Sequence, residues 1–333
     1  MAAKAKSHHE KEKAPWITYR PQIKVLDCTI RDGGLINDHK FDDALAKAVY
    51  QTCIAAGVDY MEIGYKASKK QFAVSDYGDW KFCDEDAIRR IVEDNPTALK
   101  LSVMADAGKC DWREDIIPKD KSVLSMIRCA FYINQIPEAV EMIKHCHDMG
   151  YEVSANLMAI SRVQDEELEE ALEVLAQTPT SVIVVVDSNG ALYTEQIERL
   201  VKKFRKYCDP AGKEVGIHAH NNLQLAFANT IEAIIHGANR LDATMYGFGR
   251  GAGNCPMELL LGFLRNPKFH VRPVYKLLQD RMLALREELE WGALVPYNIG
   301  GQLNQHPRAA MAVREGPDKD KFVDFYDKSV TEE

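Results

Sequence analysis

The sequence predicts a (β/α)8 barrel, the TIM-barrel class, followed by a short C-terminal helical extension. Three observations carry this prediction. Runs of β-type residues alternate strictly with runs of helical spacing, eight such units fit in about 240 residues, and the unusual polar residues collect at the C-terminal ends of the strand runs. Strict alternation requires parallel strands, and eight units is the number that closes on itself. An open doubly wound sheet would carry a glycine-rich phosphate turn after its first strand, and no GxGxxG is found there.

Residues 1–22 are rich in Lys, Glu and His with little to bury, and read as a flexible leader in which His8 and His9 are solvated. Ile23 to Thr29 is the first strand, leaving through Ile30-Arg31-Asp32-Gly33-Gly34, which reads as a loop. Asp42 to Ala56 has helical spacing stopped by Gly57, and Val58 to Gly64 is the second strand. Helix Asp84 to Glu93 and strand Leu99 to Met104 repeat the unit. Ser122 to Phe131 is the fourth strand, Pro137 to Met149 a helix closed by Gly150, and Tyr151 to Met158 the fifth strand. Helix Asp165 to Ala176 leads into strand Ser181 to Asp187, whose Val182-Ile183-Val184-Val185-Val186 run suits burial on both faces. Helix Thr194 to Tyr207, strand Glu214 to His220, helix Leu223 to His236, strand Arg240 to Met245 and helix Pro256 to Leu264 complete the series. A barrel domain at 23–265 and a helical cap at 266–333 follow from these limits.

A chain of 333 residues, 46% hydrophobic and 28% charged, can bury a large core. Its net charge of -8 argues against nucleic-acid and membrane-surface partners, which call for a basic field. No apolar run approaches the roughly 20 residues of a membrane span, and the N-terminus lacks the apolar core of a secretory signal, so a cytoplasmic location is expected. The eight cysteines form no CxxC pair and read as small buried hydrophobes in a reducing compartment.

Chemistry concentrates at one end of the barrel. His218 and His220 alternate along a strand and therefore share a face, where two imidazoles can grip one divalent metal if a third ligand arrives from elsewhere. Asp27, Arg31, Asp32, Glu62, Asp106, Asn156, Asp187, Ser188 and Asn254 all fall at or beyond strand ends on the same side, which marks a single site. The loop Gly247-Phe248-Gly249-Arg250-Gly251-Ala252-Gly253 follows the eighth strand, where barrels often bind ligands.

Three segments in this order, Leu26-Asp27-Cys28-Thr29-Ile30-Arg31-Asp32-Gly33, Gly216-Ile217-His218-Ala219-His220-Asn221-Asn222-Leu223 and Gly251-Ala252-Gly253-Asn254, resemble the DRE-TIM metallolyase superfamily. That superfamily holds acyl-CoA lyases and synthases as well as 4-hydroxy-2-oxovalerate aldolases, and the chain is most similar to the aldolases. The resemblance spans about 23 to 265. It implies that Asp32, His218 and His220 bind a divalent metal, with Asn254 as a further ligand, and that Arg31 contacts the substrate carbonyl. An oxygen and nitrogen ligand set without thiolates favours Mn2+ or Mg2+, with catalytic Zn2+ or Co2+ as the alternatives. The implied reaction is a metal-dependent aldol cleavage or addition, in which a 4-hydroxy-2-oxo acid is exchanged with pyruvate and an aldehyde through an enolate that Arg31 stabilises.

The chain departs from those aldolases at one position. Their base is a histidine two residues after Arg-Asp-Gly, and here that residue is Leu35. Proton transfer is therefore sought at His39, further along the same loop, and at Tyr297 and His306, in a segment resembling the helical cap of the aldolases. Glu62 and Asp27 are candidates to orient Arg31, Tyr132 and Asn156 to contact substrate, and an inward Arg128 would need a carboxylate such as Glu62. A Claisen-type acyl-CoA synthase or lyase is the alternative, but condensing synthases carry Glu-Gln where this chain has Gly34-Leu35. An HxH hydrolase would place its histidines after strand one. A homo-oligomer and a partner dehydrogenase are the expected associations, and a purely structural barrel would be favoured only if the protein bound no metal.

Overall fold

Eight short parallel strands bury every edge hydrogen bond only by closing on themselves. The computed structural model, which describes residues 20–331, closes in that way. Strands β1 (Lys24–Asp27), β2 (Tyr60–Tyr65), β3 (Lys100–Asp106), β4 (Met126–Phe131), β5 (Glu152–Leu157), β6 (Val182–Asp187), β7 (Glu214–Ala219) and β8 (Arg240–Ala243) run in sequence order around the barrel. All neighbours are parallel, and β8 returns to β1 with Leu26 opposite Asp242. The leader falls, up to residue 19, outside the described residues.

Helices Asp43–Ala56, Glu85–Val92, Ile136–Asp148, Asp165–Ala176, Thr194–Cys208, Ala226–Ile235 and Met257–Leu264 follow the strands. Their limits have local causes. The Asp42 carboxylate accepts from Leu45 N at 2.7 Å, and Gly57 ends that helix at φ 72°, a left-handed value that glycine adopts without penalty. Outward strand residues such as Val25, Ile63, Val103, Ile127 and Ile183 pack beneath the helices into the main core. Inside the barrel lie two smaller apolar groups, Leu26 with Tyr60 and Met126, and Val182 with Val184 and Val186. Its N-terminal floor is ionic, with Arg240 paired to Glu152 and Glu214.

Four expectations are corrected. The segment after β1 is a short helix, Thr29–Gly33, because Asp27 accepts from both the backbone and the hydroxyl of Thr29 and turns the chain at once. β4 begins at Met126 because the Glu85 carboxylate takes Val123 N at 2.8 Å and Ser122 Oγ at 2.9 Å, diverting this stretch from a strand neighbour. β7 ends at Ala219, and His220 makes an isolated antiparallel bridge with Asn254. The next helix starts at Ala226, not Leu223, since Asn221 Oδ1 accepts from Ala226 N at 3.0 Å.

After the barrel, helices Val271–Leu277 and Leu283–Leu289 are joined by a π-helical turn, and the first of them lies against Asp43–Ala56. Helices Val295–Gln302, Arg308–Glu315 and Phe322–Thr331 form their own apolar cluster over the C-terminal mouth. Asn304 ties them down by donating to Ser161 O at 3.0 Å and accepting from Asn189 Nδ2 at 3.0 Å. Among the described residues no helix is long and apolar enough to cross a membrane.

Candidate active site

Helix Thr29–Gly33 places Arg31 and Asp32 side by side at the barrel mouth, both buried. Arg31 Nε donates to Glu62 Oε2 at 2.6 Å and Arg31 Nη1 donates to Asp32 Oδ2. Glu62 also accepts from Arg128 Nη1 at 2.9 Å, while Arg128 Nη2 reaches Asn156 Oδ1 at 3.0 Å and the Asp242 carboxylate. Asp242 in turn lies 3.0 Å from His218 Nδ1. Charges of alternating sign thus run from Asp32 through the barrel interior to His218. Two guanidiniums and three carboxylates share this buried chain, and the guanidinium of Arg250 lines the same cavity. A buried carboxylate is stabilised by a cation that reaches it.

That cation has a place. His220 Nδ1 lies 3.0 Å from the Asp187 carbonyl, so it carries the proton and leaves Nε2 as a lone pair. Nε2 of His220 is buried without a hydrogen-bond partner and sits 3.5 Å from Asp32 Oδ2, and Nε2 of His218 sits at the same distance from that oxygen. These two nitrogens and the carboxylate oxygen lie within 4.8 Å of one another. Asn254 Nδ2 donates to Asp32 Oδ1 at 3.0 Å, leaving Asn254 Oδ1 buried and unpartnered nearby. Imidazoles oriented through their second nitrogen, by a carboxylate in His218 and a carbonyl in His220, are how metal ligands are commonly held. The donor set therefore fits a divalent metal.

The electrostatics agree. Burial alone would raise the Asp32 carboxyl, but the Arg31 guanidinium beside it outweighs burial and holds it well below the usual range. Burial pushes His220 down to about 4 against the opposing pull of Asp32, so its ring is neutral and open to a Lewis acid at neutral pH. The loop after β8 has to be glycine-rich to come this close. A Cβ on Gly249 would stand 2.0 Å from Asn254 Nδ2 and 2.5 Å from Asp32 Oδ1.

A cavity of about 50 Å³ opens above these groups, lined by Arg31, Asp32, His218 and His220 and also by Leu35, Tyr65, Tyr132, Asn156, Arg250 and His306. It has room for a few water-sized groups, the scale of a small polar molecule. Asn156 is committed within the barrel, accepting from Arg128 and donating to Cys129 O at 3.2 Å, so it steadies Arg128. His306 Nε2 lies 3.2 Å from Arg250 Nη1, and burial together with Arg250 and Arg308 pushes this imidazole down to about 3.

Other sequence candidates sit elsewhere. His39 is buried behind Tyr65, with ring centroids 5.3 Å apart; it is not part of the cavity lining, and neither ring nitrogen has a hydrogen-bond partner. Tyr297 does not face the cavity, because its ring packs among Ile299, Ala310, Phe325 and Ala252 in the cap cluster. Asp27 does not orient Arg31, since β1 turns it outward onto Thr29. Asp187 is likewise turned out, accepting from Ala191 N at 3.0 Å and Leu192 N at 3.2 Å.

Tyr65, Arg250 and Asp242 were not anticipated. Alternation from Glu62 points Tyr65 outward, but a register shift between Glu62 and Tyr65 reverses it and sets Tyr65 opposite Met104 at the mouth. Arg250 is hidden in its glycine-rich loop. Asp242 was readable, because Leu241 must face the helices and so its neighbour must face inward.

Comparison with known proteins follows the same lines. The model of the HMGL-like family matches residues 22–280. Oxaloacetate decarboxylase of Mycobacterium tuberculosis is 31% identical over 250 residues, covering 74% of this chain and 71% of that protein. 4-hydroxy-2-oxovalerate aldolase of Thermus thermophilus is 31% identical over 251 residues, covering 74% and 70%. The crystal structure of the N-terminal domain of a candidate aldolase from Bacteroides vulgatus is similar with a TM-score of 0.77 at 27% identity, covering 93% of this chain and 99% of that one.

Proposed function

The chain belongs to the HMGL-like family, and from that premise we propose that it is a divalent-metal-dependent carbon–carbon lyase, an aldolase that cleaves or forms a 4-hydroxy-2-oxo acid through a pyruvate enolate. The observation that carries this reading is the convergence of unpartnered donor atoms on His220 and Asn254 with Asp32, His218 and a locked Arg31 at one cavity. Asp32, His218 and His220 would hold the metal, with Asn254 as a further donor, and the oxygen and nitrogen set favours Mn2+ or Mg2+. When bound, the metal supplies Lewis-acid polarisation of the 2-oxo group.

The chain's own residues supply the rest. Arg31 is held by Glu62 and Asp32, with its Nη2 3.4 Å from His218 Nε2, so the guanidinium is fixed at the cavity without reorganising as negative charge develops on the enolate oxygen. Asp242 keeps the Nδ1 proton of His218 in place and leaves Nε2 as a lone pair, 3.4 Å from Arg31 Nη2. His306 is the neutral imidazole on the cavity wall, its Nδ1 accepting from Arg308 N at 3.3 Å and its Nε2 3.2 Å from Arg250 Nη1, and it is the candidate to relay a proton there. The cap helices, tied by Asn304, limit water at the mouth.

The test is exchange of the pyruvate methyl protons for deuterium in the metal-loaded protein, followed by NMR. Wild type is expected to exchange, and Arg31→Ala to slow exchange by roughly 100- to 1000-fold, as for loss of an oxyanion donor. Turnover of an acyl-CoA with no exchange of pyruvate would sink the reading in favour of Claisen chemistry. Decarboxylation of a 2-oxo diacid is a second reading, favoured by Leu35 on the cavity wall. Loss of CO2 from C3 leaves the same enolate with no hydroxyl proton to remove, so release of CO2 from oxaloacetate faster than with free metal, with no aldol product from any aldehyde, selects it.

A further inference from the structure

Arg250 is the cavity's uncompensated cation. Arg31 is paired with Asp32 and Glu62, and Arg128 with Glu62 and Asp242. Arg250 lines the same cavity, but its guanidinium has no carboxylate within ion-pair distance among the described residues. Its Nη1 faces His306 Nε2 at 3.2 Å, its Nη2 donates to Ser188 O at 2.9 Å, and its Nε is buried without an acceptor. Cations gather around it. Arg308 and Lys109 are near enough to act on His306, and Lys81 stands over the rings of Tyr65, Phe72 and Tyr77 at 5.1, 4.3 and 5.2 Å. Two carboxylates stand among them, Asp106, whose Oδ2 lies 3.5 Å from Lys109, and Asp38, which acts on Lys81. A half-buried guanidinium with an unfilled donor, set in a cationic rim, is stabilised by an anion that reaches it.

Resting on the lyase reading above, in which the 2-oxo acid head group is held beside Arg31, we propose that Arg250 binds a second anionic group, a carboxylate or phosphate, on the aldehyde half of the substrate. The electrophile is then an anionic aldehyde. In the synthetic direction a C3–H bond of pyruvate breaks, C3 bonds to the aldehyde carbon, and the proton ends on the new C4 hydroxyl, with no redox change.

The experiment measures product formation from pyruvate with acetaldehyde, glyoxylate and glycolaldehyde phosphate in wild type, Arg250→Met and Arg250→Lys. Wild type is expected to prefer an anionic aldehyde by about 10- to 100-fold in kcat/KM, the range for a charge-assisted pair. Arg250→Met should erase the preference and Arg250→Lys should keep part of it, since a point charge lacks the fork. Preference for glyoxylate or for glycolaldehyde phosphate distinguishes carboxylate from phosphate. A wild-type preference for acetaldehyde, or a preference that survives in Arg250→Met, overturns the proposal. Calorimetric binding of 2-oxoglutarate against 2-oxopentanoate gives a readout independent of turnover, with the dianion expected to bind more tightly only while Arg250 is present. Tighter dianion binding without methyl exchange would retain Arg250's role and reject the lyase.

Discussion

Leu35 puts an isobutyl group on the cavity wall that also holds Arg31, Asp32, His218 and His220, at the position where the resemblance places a base. Leu35→His is therefore expected to raise the rate of pyruvate methyl exchange by about 100-fold, the lower range for a positioned general base; an unchanged rate would mean that proton removal is already served from elsewhere on the wall. Asp242 acts through its partner. It holds His218 Nδ1 at 3.0 Å and also meets Arg128, so Asp242→Asn should weaken metal binding about 10- to 100-fold by calorimetry while leaving all the ligands in place. Affinity equal to wild type would show that the His218 ring is oriented by packing alone.

Among the elements, the loop between β8 and helix Met257–Leu264 has the tightest geometric demands. Gly253 sits at φ 85°, and a Cβ there would lie 1.9 Å from Gly247 O, a backbone atom that cannot step aside. Gly212 has a comparable φ of 66° but open space around it. Gly212→Ala should cost about 1 kcal/mol, the conformational penalty alone, whereas Gly253→Ala should cost more than that and displace Asn254 and Arg250. Thermal unfolding and metal titration of the two variants check this, and equal losses would show that the loop can relax. The bulge in β2 works at the same scale, because a single register shift decides that Tyr65 joins the site.

For the whole molecule, the pH response follows from buried groups pulling in opposite directions. Burial lowers His39 from 6.5 to about 3, with Lys81 and Arg31 adding to it. Its folded pKa lies below its unfolded one, so its contribution to stability is complete above 6.5 and is lost as pH falls toward 3. Asp27 is raised by burial from 3.8 to about 7, and Asp187 to about 6. There the folded state holds the proton more tightly, so their contribution is present below 3.8 and lost as pH rises through 6 to 7. In urea unfolding between pH 4 and 7, His39→Gln should reduce the fall in stability on the acid side, and Asp27→Asn should reduce the loss on the neutral side. A variant whose pH profile superimposes on wild type would remove that residue from this account.

What was legible in the sequence alone was whatever depends on short-range periodicity. The alternation of strand and helix runs determined an eight-unit barrel, and the two-residue spacing of His218 and His220 put both rings on one face. Helix Asp165–Ala176 matches its predicted limits because its pattern and its ends are local. Tertiary structure decided the features that depend on distant residues. These are the meeting of Asp32 with both histidines, the ionic chain through Glu62, Arg128 and Asp242, the turning of Asp27 and Asp187 away from the mouth, and the burial of Tyr297 in the cap. Strand parity fixes the face a residue takes only until a bulge or a capping side chain intervenes, and both are set by neighbours that closure of the barrel brings into place.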